Sequence, residues 1–303
     1  MSRSSNLKAN AALLGANAIY GLNYVIAKGM MPEHFAPRAI IMFRVMGAVL
    51  FFTLLYHFSR KEKVKRRDVI RLAICAVFGI AVNQILFFEG LNLTTPINAS
   101  IIMLVVPILV LIFSKMLLNE QITLNKIIGI IIGLVGATLL ILAGGKFSFR
   151  SETFTGNLIV FINAASFGFY LVLVKPMMIR YRAITVMRWL FLFGLVYVTP
   201  FCIGPFLNTD FGSIPIRFWF SLLYVIVCTT IIAYMLFNYS LKFVSPVVSS
   251  AYLYLQPVIA SLVAIIIGMD ILNLQESLAA VMVFIGVYFV SIRKSKANRK
   301  QSG

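Results

Sequence analysis

Apolar runs of about 20 residues follow one another along almost the entire chain, and they restrict its fold more than any other feature. A helix of about 20 apolar residues crosses the roughly 30 Å hydrocarbon core of a bilayer. Hydrophobic residues make up 61% of the 303 residues and charged residues only 12%, whereas soluble domains have about 25% charged residues. The sequence therefore predicts an all-α integral membrane protein whose surroundings are the lipid bilayer.

The formal net charge of +18 comes from short basic segments that lie between the apolar runs. The clearest are "SRKEKVKRRD" (59–68), "KPMMIRYR" (175–182) and "RKSKANRK" (293–300). Single-strand nucleic-acid binders interleave basic residues with aromatic rings for stacking on bases, and that interleaving is absent here. We interpret these segments as determinants of membrane topology and expect no nucleic-acid partner.

Charged residues, Pro and Gly divide the chain into ten predicted membrane helices. They cover residues 10–30, 37–58, 69–91, 96–117, 122–144, 156–176, 184–206, 216–239, 246–268 and 271–292. Lys and Arg accumulate on the cytoplasmic side of membrane proteins. With the N-terminus inside, the opposite side keeps little beyond Arg38, Lys146, Arg150 and Arg217. We therefore expect a multi-pass protein of the cell inner (cytoplasmic) membrane, with the N-terminus and the basic tail both in the cytoplasm.

The stretch "PINASIIMLVVP", from Pro96 to Pro107, has a counterpart 150 residues later in "PVVSSAYLYLQP", from Pro246 to Pro257. At this offset, residues 81–141 align without gaps to 231–291. Each half of the chain then holds five helices, an odd number, so the second half enters the membrane from the opposite side. The sequence predicts two inverted five-helix repeats, residues 1–146 and 147–303. Such repeats are typical of secondary transporters, whose substrate site lies near the midplane between the halves.

Several motifs carry a family resemblance over essentially the whole chain. They are "YGLNY" (20–24), "FR" (43–44), "GLNLTTPINASIIMLVVP" with "LLNEQITLNKIIGIIIGLVGATLL", and "SLKFVSPVVSSAYLYLQP" with "GMD". Together they resemble the drug/metabolite transporter superfamily, specifically its ten-helix EamA-type branch. Tyr20 replaces the Trp of many members, and Asp270 the commoner Glu. The resemblance implies a secondary active transporter of small polar metabolites, with amino acids or their derivatives as favoured cargo, export as favoured direction and alternating access as mechanism.

Other classes of function make different demands on the sequence. Multidrug or cation efflux calls for an acid within the membrane, and the one candidate, Glu89, lies near the outer end of a predicted helix. A receptor or scaffold calls for a long loop or soluble domain, which is not predicted. The chain has no HExxH, GxSxG or Walker-type motif. We therefore expect no enzyme activity, no cofactor and no bound metal.

Arg44 is the first candidate site residue, because an ionisable group inside a membrane is costly and generally marks function. It shares one helical stripe with Ile40 and Gly47 and is predicted to face the bundle interior. Two interpretations remain open. Arg44 binds a substrate carboxylate or anchors an outer gate, or it forms a structural ion pair with Glu89.

Further polar residues fall near the middle of the predicted helices and are candidate substrate ligands. They are Asn23, Asn83, Ser100, Ser166, Tyr170, Thr230 and Tyr234. Polar groups of this kind also join membrane helices, where a hydrogen bond contributes only about 0.6 kcal/mol. Both roles, ligand and helix contact, stay open for this set.

Prolines and glycines indicate where helices bend or approach one another. Pro107 and Pro257 each free a backbone carbonyl, which is suited to a hinge. Small residues allow close helix packing, and the glycines concerned are Gly129, Gly133, Gly136 and Gly286. We assign their helices to scaffold contacts or to a homodimer interface.

Overall fold

The computed structural model describes residues 3–59, 61–143, 151–266 and 274–292, and every regular element within these ranges is helical. The α-helices are α1 (Arg3–Met30), α2 (Pro37–His57), α3 (Arg66–Ala76), α4 (Val82–Leu93), α5 (Pro96–Met103), α6 (Val106–Leu118), α7 (Leu124–Ala143), α8 (Ser151–Arg180), α9 (Ala183–Leu207), α10 (Ile216–Tyr224), α11 (Tyr234–Leu241), α12 (Pro246–Ala251), α13 (Leu255–Ile266) and α14 (Leu274–Ser291). Two π-helices, Val77–Ala81 and Val225–Ala233, and one 3-10 helix, Tyr252–Tyr254, connect consecutive α-helices.

Eight helical segments of the described chain are long and apolar enough to cross a membrane. They are Pro37–His57, Arg66–Leu93, Pro96–Leu118, Leu124–Leu142, Thr153–Arg180, Ala183–Leu207, Ile216–Ser240 and Pro246–Val263. Helix α1 and the shorter apolar segment Ser277–Ser291 are outside this set. Eight such segments make this a multi-pass membrane protein.

The helix bounds differ from the sequence prediction mainly in length and continuity. The helix predicted at 156–176 extends over Ser151–Arg180, and four predicted helices are each divided by a π-helical, 3-10 or turn segment. Three predicted features lie outside the described residues. They are the boundary between the two halves at 146/147, Asp270 and the basic tail from residue 293 onwards.

Tight turns divide the helices predicted at 96–117 and 246–268, just before Pro107 and Pro257 respectively. Between α5 and α6 the amide of Leu104 donates to the carbonyl of Ile101 at 3.1 Å, and Pro107 follows near the start of α6. In the second case the 3-10 helix Tyr252–Tyr254 precedes Pro257. Proline cannot donate a backbone hydrogen bond and its ring crowds the preceding turn, which favours an interruption at these two points. Helices α8 and α9 contain Pro176, Pro200 and Pro205 without such an interruption.

Several local contacts recur at a spacing of about 150 residues. The Thr95 hydroxyl caps α5 by accepting from the amide of Asn98 at 3.1 Å, and the Ser245 hydroxyl caps α12 by accepting from Val248 at 3.4 Å. A proline at the first helical position follows each capping residue. The same fold signal, a hydroxyl cap followed by proline, therefore starts both helices.

Two lysines near the ends of long helices make the other recurring contact. The Lys28 ammonium at the end of α1 donates to the carbonyls of Leu91 at 2.9 Å and Asn92 at 2.7 Å. The Lys175 ammonium in α8 donates to the carbonyl of Leu241, which lies 150 residues after Leu91. Each cation thus satisfies the terminal carbonyls of another helix, where the helix dipole is negative.

Glycines bring α7 and α14 into direct backbone contact. A Cβ atom on Gly129 would lie 2.6 Å from the carbonyl oxygen of Gly286, and one on Gly286 would lie 2.5 Å from the amide nitrogen of Gly133. A Cβ atom on Gly136 would lie 2.8 Å from the carbonyl oxygen of Ala279. The four glycines selected from the sequence therefore lie at a helix contact within a single chain.

Candidate substrate site

A cavity of about 70 Å³, named here the Arg44 cavity, lies among α1, α2, α4, α8, α11 and α13. Its polar lining includes Asn23, Arg44, Asn83, Gln84, Asn163 and Tyr234. These side chains come from both halves of the sequence, so the cavity exists only once the distant helices have packed together.

Arg44 brings a positive charge to this cavity and is only 4% exposed. Its Nε donates to the hydroxyl of Thr230 at 2.7 Å, and its guanidinium carbon lies 4.8 Å from the centre of the Phe88 ring. Thr230 in turn donates to the carbonyl of Val225 at 2.8 Å, which fixes the hydroxyl as an acceptor for Arg44. Among the described residues no carboxylate forms an ion pair with Arg44.

Glu89 is the predicted ion-pair partner of Arg44, but in the structure it pairs with a different arginine. Its Oε1 lies 2.6 Å from Nε of Arg38, and both side chains are partly exposed. Arg44 lies six residues further along α2, which is about 9 Å along a helix axis. The predicted Arg44–Glu89 pair therefore does not form, because Arg38 is the arginine at the depth of Glu89.

Asn83 and Tyr234 form a hydrogen-bonded cluster on the cavity wall. The Tyr234 hydroxyl lies 3.2 Å from Oδ1 of Asn83 and 3.3 Å from the carbonyl oxygen of Gly79. Asn163 donates through Nδ2 to the backbone carbonyl of Asn83 at 2.7 Å. Gly79 belongs to the first π-helix, whose wider turn departs from the α-helical hydrogen-bond pattern. The π-turn therefore presents backbone oxygens to side chains of other helices.

A second polar cluster connects α1 to the other half of the chain. Asn23 accepts through Oδ1 from the hydroxyl of Thr229 at 3.2 Å, and both residues line the cavity. Gln256 donates through Nε2 to Oδ1 of Asn17 at 2.9 Å. A Cβ atom on Gly21 would lie 3.0 Å from the carbonyl oxygen of Gln256, so α1 and α13 touch at this point.

Three of the predicted ligand residues line neither this cavity nor the second cavity that adjoins it, which is described in the next paragraph. The Ser166 hydroxyl donates to the carbonyl of Phe78 at 2.8 Å, and the Tyr170 hydroxyl donates to Oδ1 of Asn238 at 2.7 Å. Thr230 holds the Arg44 side chain as described above. All three are buried and join helices, which is the alternative that the sequence left open for such polar groups.

A wider cavity of about 260 Å³, with fewer polar residues in its lining, adjoins the first. The two share Tyr24, Met103, Leu253 and Gln256, and the second also contains Ser100 and Pro257. It extends to Pro96, at the start of α5. We call this second cavity the vestibule, since it continues from the Arg44 cavity towards the ends of the helices.

Aromatic rings complete the wall of the Arg44 cavity, and none of them stands out in the sequence as a site residue. They are Tyr20, Tyr24, Phe87 and Phe167. In a chain with 26 Phe and 12 Tyr residues, aromatic identity alone carries no signal. Gln256 also lines the cavity and was not predicted as a site residue, although an amide directly before Pro257 in an apolar run indicates a candidate.

The cavity is polar, helices of membrane-spanning length enclose it, and its cation pairs with no described carboxylate. These features are suited to a multi-pass membrane transporter. The sequence model of the EamA-like transporter family matches residues 7–142 and 154–292, so the chain belongs to this family. The family resemblance that the motifs indicated is confirmed, as is the expectation that the protein is a transporter and not an enzyme.

Individual relatives are distant but cover much of the chain. An "Uncharacterized transporter YyaM" from Bacillus subtilis is 25% identical over 95% of this chain and 96% of its own length. A "Probable terminal-alkyne amino-acid exporter" from Streptantibioticus cattleyicolor is 25% identical over 68% of this chain and 67% of its own. A solved crystal structure, 20% identical, superposes over the full length of both chains with a TM-score of 0.74 and shows the same fold.

Proposed function

We propose that the chain is a secondary active transporter, working as an exporter, for small polar metabolites that carry a carboxylate, with amino acids or their derivatives as the favoured cargo. The observation that carries this proposal is the Arg44 guanidinium, buried in the cavity without a counter-ion among the described residues. Taking a charge out of water costs several kcal/mol unless it is paired. A substrate carboxylate would supply the missing charge, and Arg suits the planar, two-oxygen geometry of that group.

Three lining residues complete the proposed ligand set. Asn23, Asn83 and Tyr234 present polar groups to the same cavity as Arg44. Thr230 is proposed as a positioning residue for Arg44, and Ser100 as a polar contact on the path through the vestibule. The name of the Streptantibioticus relative, a probable amino-acid exporter, supports this class of cargo.

The proposed mechanism is alternating access between two inverted five-helix repeats, residues 1–146 and 147–303, with ten membrane helices in all. The recurring caps, lysine contacts and π-helices support this arrangement, as do the two separate matches to the family model. The interruptions before Pro107 and Pro257 are the proposed hinges. A homodimer, if formed, would need a surface other than the four glycines, because α7 and α14 already occupy them.

The two ends of the bundle differ, because within the described part of the chain the vestibule reaches only the end at Pro96. This difference supports a proposal for which side of the membrane the cavity faces. Asp68 in the first turn of α3 accepts from Arg180 at 2.6 and 2.8 Å and from the Tyr181 hydroxyl at 2.8 Å. Pro96, where the vestibule ends, follows the opposite end of the same span. With both termini in the cytoplasm of an inner-membrane protein, as proposed from the basic segments, this state faces outward.

Counterflow in liposomes tests the proposed function whichever ion is coupled and whichever direction transport takes. Vesicles that contain the purified protein are loaded with one unlabelled compound and given a trace of the labelled compound outside. The panel covers neutral, aromatic, acidic and basic amino acids, then quaternary ammonium compounds. We expect transient accumulation of at least one amino acid. Accumulation of the quaternary ammonium compounds alone would replace the proposal by cation efflux, and no accumulation by folded protein would contradict transport of this whole panel.

A further inference from the structure

Gln84 is the most unusual polar residue of the Arg44 cavity. It lines the cavity and is 1% exposed, yet neither its Nε2 nor its Oε1 has a hydrogen-bond partner among the described residues. Leaving a buried amide unpaired costs about 1–3 kcal/mol per group. Its position in α4, next to Asn83, therefore leaves one donor and one acceptor without a partner among the described residues at the wall of the cavity.

Asn163 offers a second unpaired acceptor to the same cavity. It is fully buried, and its Nδ2 donates to the backbone carbonyl of Asn83 at 2.7 Å. That bond fixes the orientation of the amide, because a carbonyl oxygen accepts only from the nitrogen. Oδ1 of Asn163 is therefore identified as the free atom, and no group in the described part of the chain donates to it.

We infer that Gln84 recognises the two charged groups of an α-amino acid together. Its Nε2 donates to the carboxylate that Arg44 binds, and its Oε1 accepts from the ammonium group, which also donates to Oδ1 of Asn163. The inference rests on the proposed function, since it places the carboxylate at Arg44. One side-chain amide presents a donor and an acceptor side by side, and an α-amino acid presents a carboxylate and an ammonium on the same carbon. The match is lost when the two groups are separated by further carbons.

The charge of the lining sets the expected selectivity. None of the described residues that line the cavity is Asp or Glu, so the ammonium is held by amide oxygens and by aromatic faces. The rings of Tyr20, Tyr24 and Phe167 line the same cavity, and a cation over the face of a ring gains about 0.5–2 kcal/mol. An amine without a carboxylate meets Arg44 as an unpaired like charge. The site therefore selects zwitterions over plain cations.

Binding of three matched compounds to the purified full-length protein tests this inference. They are L-phenylalanine, 3-phenylpropanoate, which lacks the ammonium group, and 2-phenylethylamine, which lacks the carboxylate. For the wild type we expect phenylalanine to bind about tenfold more tightly than 3-phenylpropanoate, because the hydrogen bonds to its ammonium group contribute at least about 1.4 kcal/mol. We expect no binding of the amine. Gln84→Met should abolish most of this preference, since Met has a similar length but no hydrogen-bonding amide.

Gln121→Met is the matched control, because Gln121 is exposed between α6 and α7 and lies outside the cavity. It should keep the tenfold preference. If Gln84→Met does not fold, Gln84→Glu serves instead. Its carboxylate repels that of the ligand and neutralises Arg44, so both phenylalanine and 3-phenylpropanoate should lose binding.

The outcomes separate this inference from the proposed function. Equal binding of both carboxylates, or a preference that survives in Gln84→Met, overturns the role of Gln84 and leaves the Arg44 site standing. Binding of 2-phenylethylamine alone overturns the carboxylate site and the inference together. If folded protein binds none of the three compounds, the proposed function and this inference are both overturned for aromatic α-amino acids.

Discussion

Arg44→Met is expected to weaken the binding of a substrate carboxylate by about 30-fold or more. Removing one partner of a buried, hydrogen-bonded charge pair costs about 2–5 kcal/mol, and each 1.4 kcal/mol corresponds to a factor of ten. The variant should still fold, because no carboxylate among the described residues pairs with Arg44. Removing Arg44 therefore leaves no carboxylate of that set unpaired. Competition binding against the amino acid selected by counterflow measures the effect, and thermal unfolding checks the fold.

Arg38→Met is the control for this experiment, since it removes the same side chain from the same helix. The Arg38 side chain is 46% exposed and pairs with Glu89, which is 26% exposed. Exposed ion pairs contribute only about 0–1 kcal/mol, and neither residue lines the Arg44 cavity. We expect a less than about fivefold change in affinity. Similar losses in both variants would contradict a specific role for Arg44.

Gly286→Ala is expected to destabilise the fold, because the added methyl group meets the backbone of a neighbouring helix. The new Cβ atom would lie 2.5 Å from the amide nitrogen of Gly133 and 2.7 Å from the carbonyl oxygen of Gly129. Both are backbone atoms, so α7 and α14 must separate along their contact. Overpacking a tight contact costs about 1–3 kcal/mol and occasionally more. We expect a lower unfolding temperature and less monodisperse protein in detergent.

Gly204→Ala provides the matched control, because a Cβ atom on Gly204 would meet no atom of the described chain within 4 Å. It lies inside α9, where Ala favours the helix over Gly by about 1 kcal/mol. The control should unfold at the wild-type temperature or slightly above it. Equal stability of Gly286→Ala and Gly204→Ala would show that α7 and α14 do not touch through their backbones.

Helix positions were the part of the fold that the sequence predicted best. The helix predicted at 37–58 lies at Pro37–His57, and the one at 184–206 lies at Ala183–Leu207. Apolar length and proline position fix such bounds locally. The π-helices had no such signal, since their sequences, "VFGIA" and "VIVCTTIIA", are as apolar as the α-helices around them.

Side-chain partners were the part that the sequence could not supply. Arg44 was identified because an arginine in an apolar run is conspicuous, but its partner Thr230 is 186 residues away in sequence. Ser166 and Tyr170 are four residues apart in sequence and therefore share one face of a helix. This spacing did not show that the face meets the first π-helix and α11, where their hydroxyls bind Phe78 and Asn238. Contacts between distant helices depend on packing, which periodicity within one helix does not determine.

The most direct test of the Arg44 cavity as the substrate site is protection of a cavity thiol by the transported amino acid. Met103→Cys, in a chain whose three cysteines are replaced by Ala, places a single thiol on the wall shared by the cavity and the vestibule. At a ligand concentration of about ten times Kd, occupancy of the cavity should slow labelling by a neutral maleimide roughly tenfold. We expect that slowing, and its loss when Arg44→Met is added. Unchanged labelling of protein that still binds the amino acid would contradict the assignment of this cavity as the substrate site.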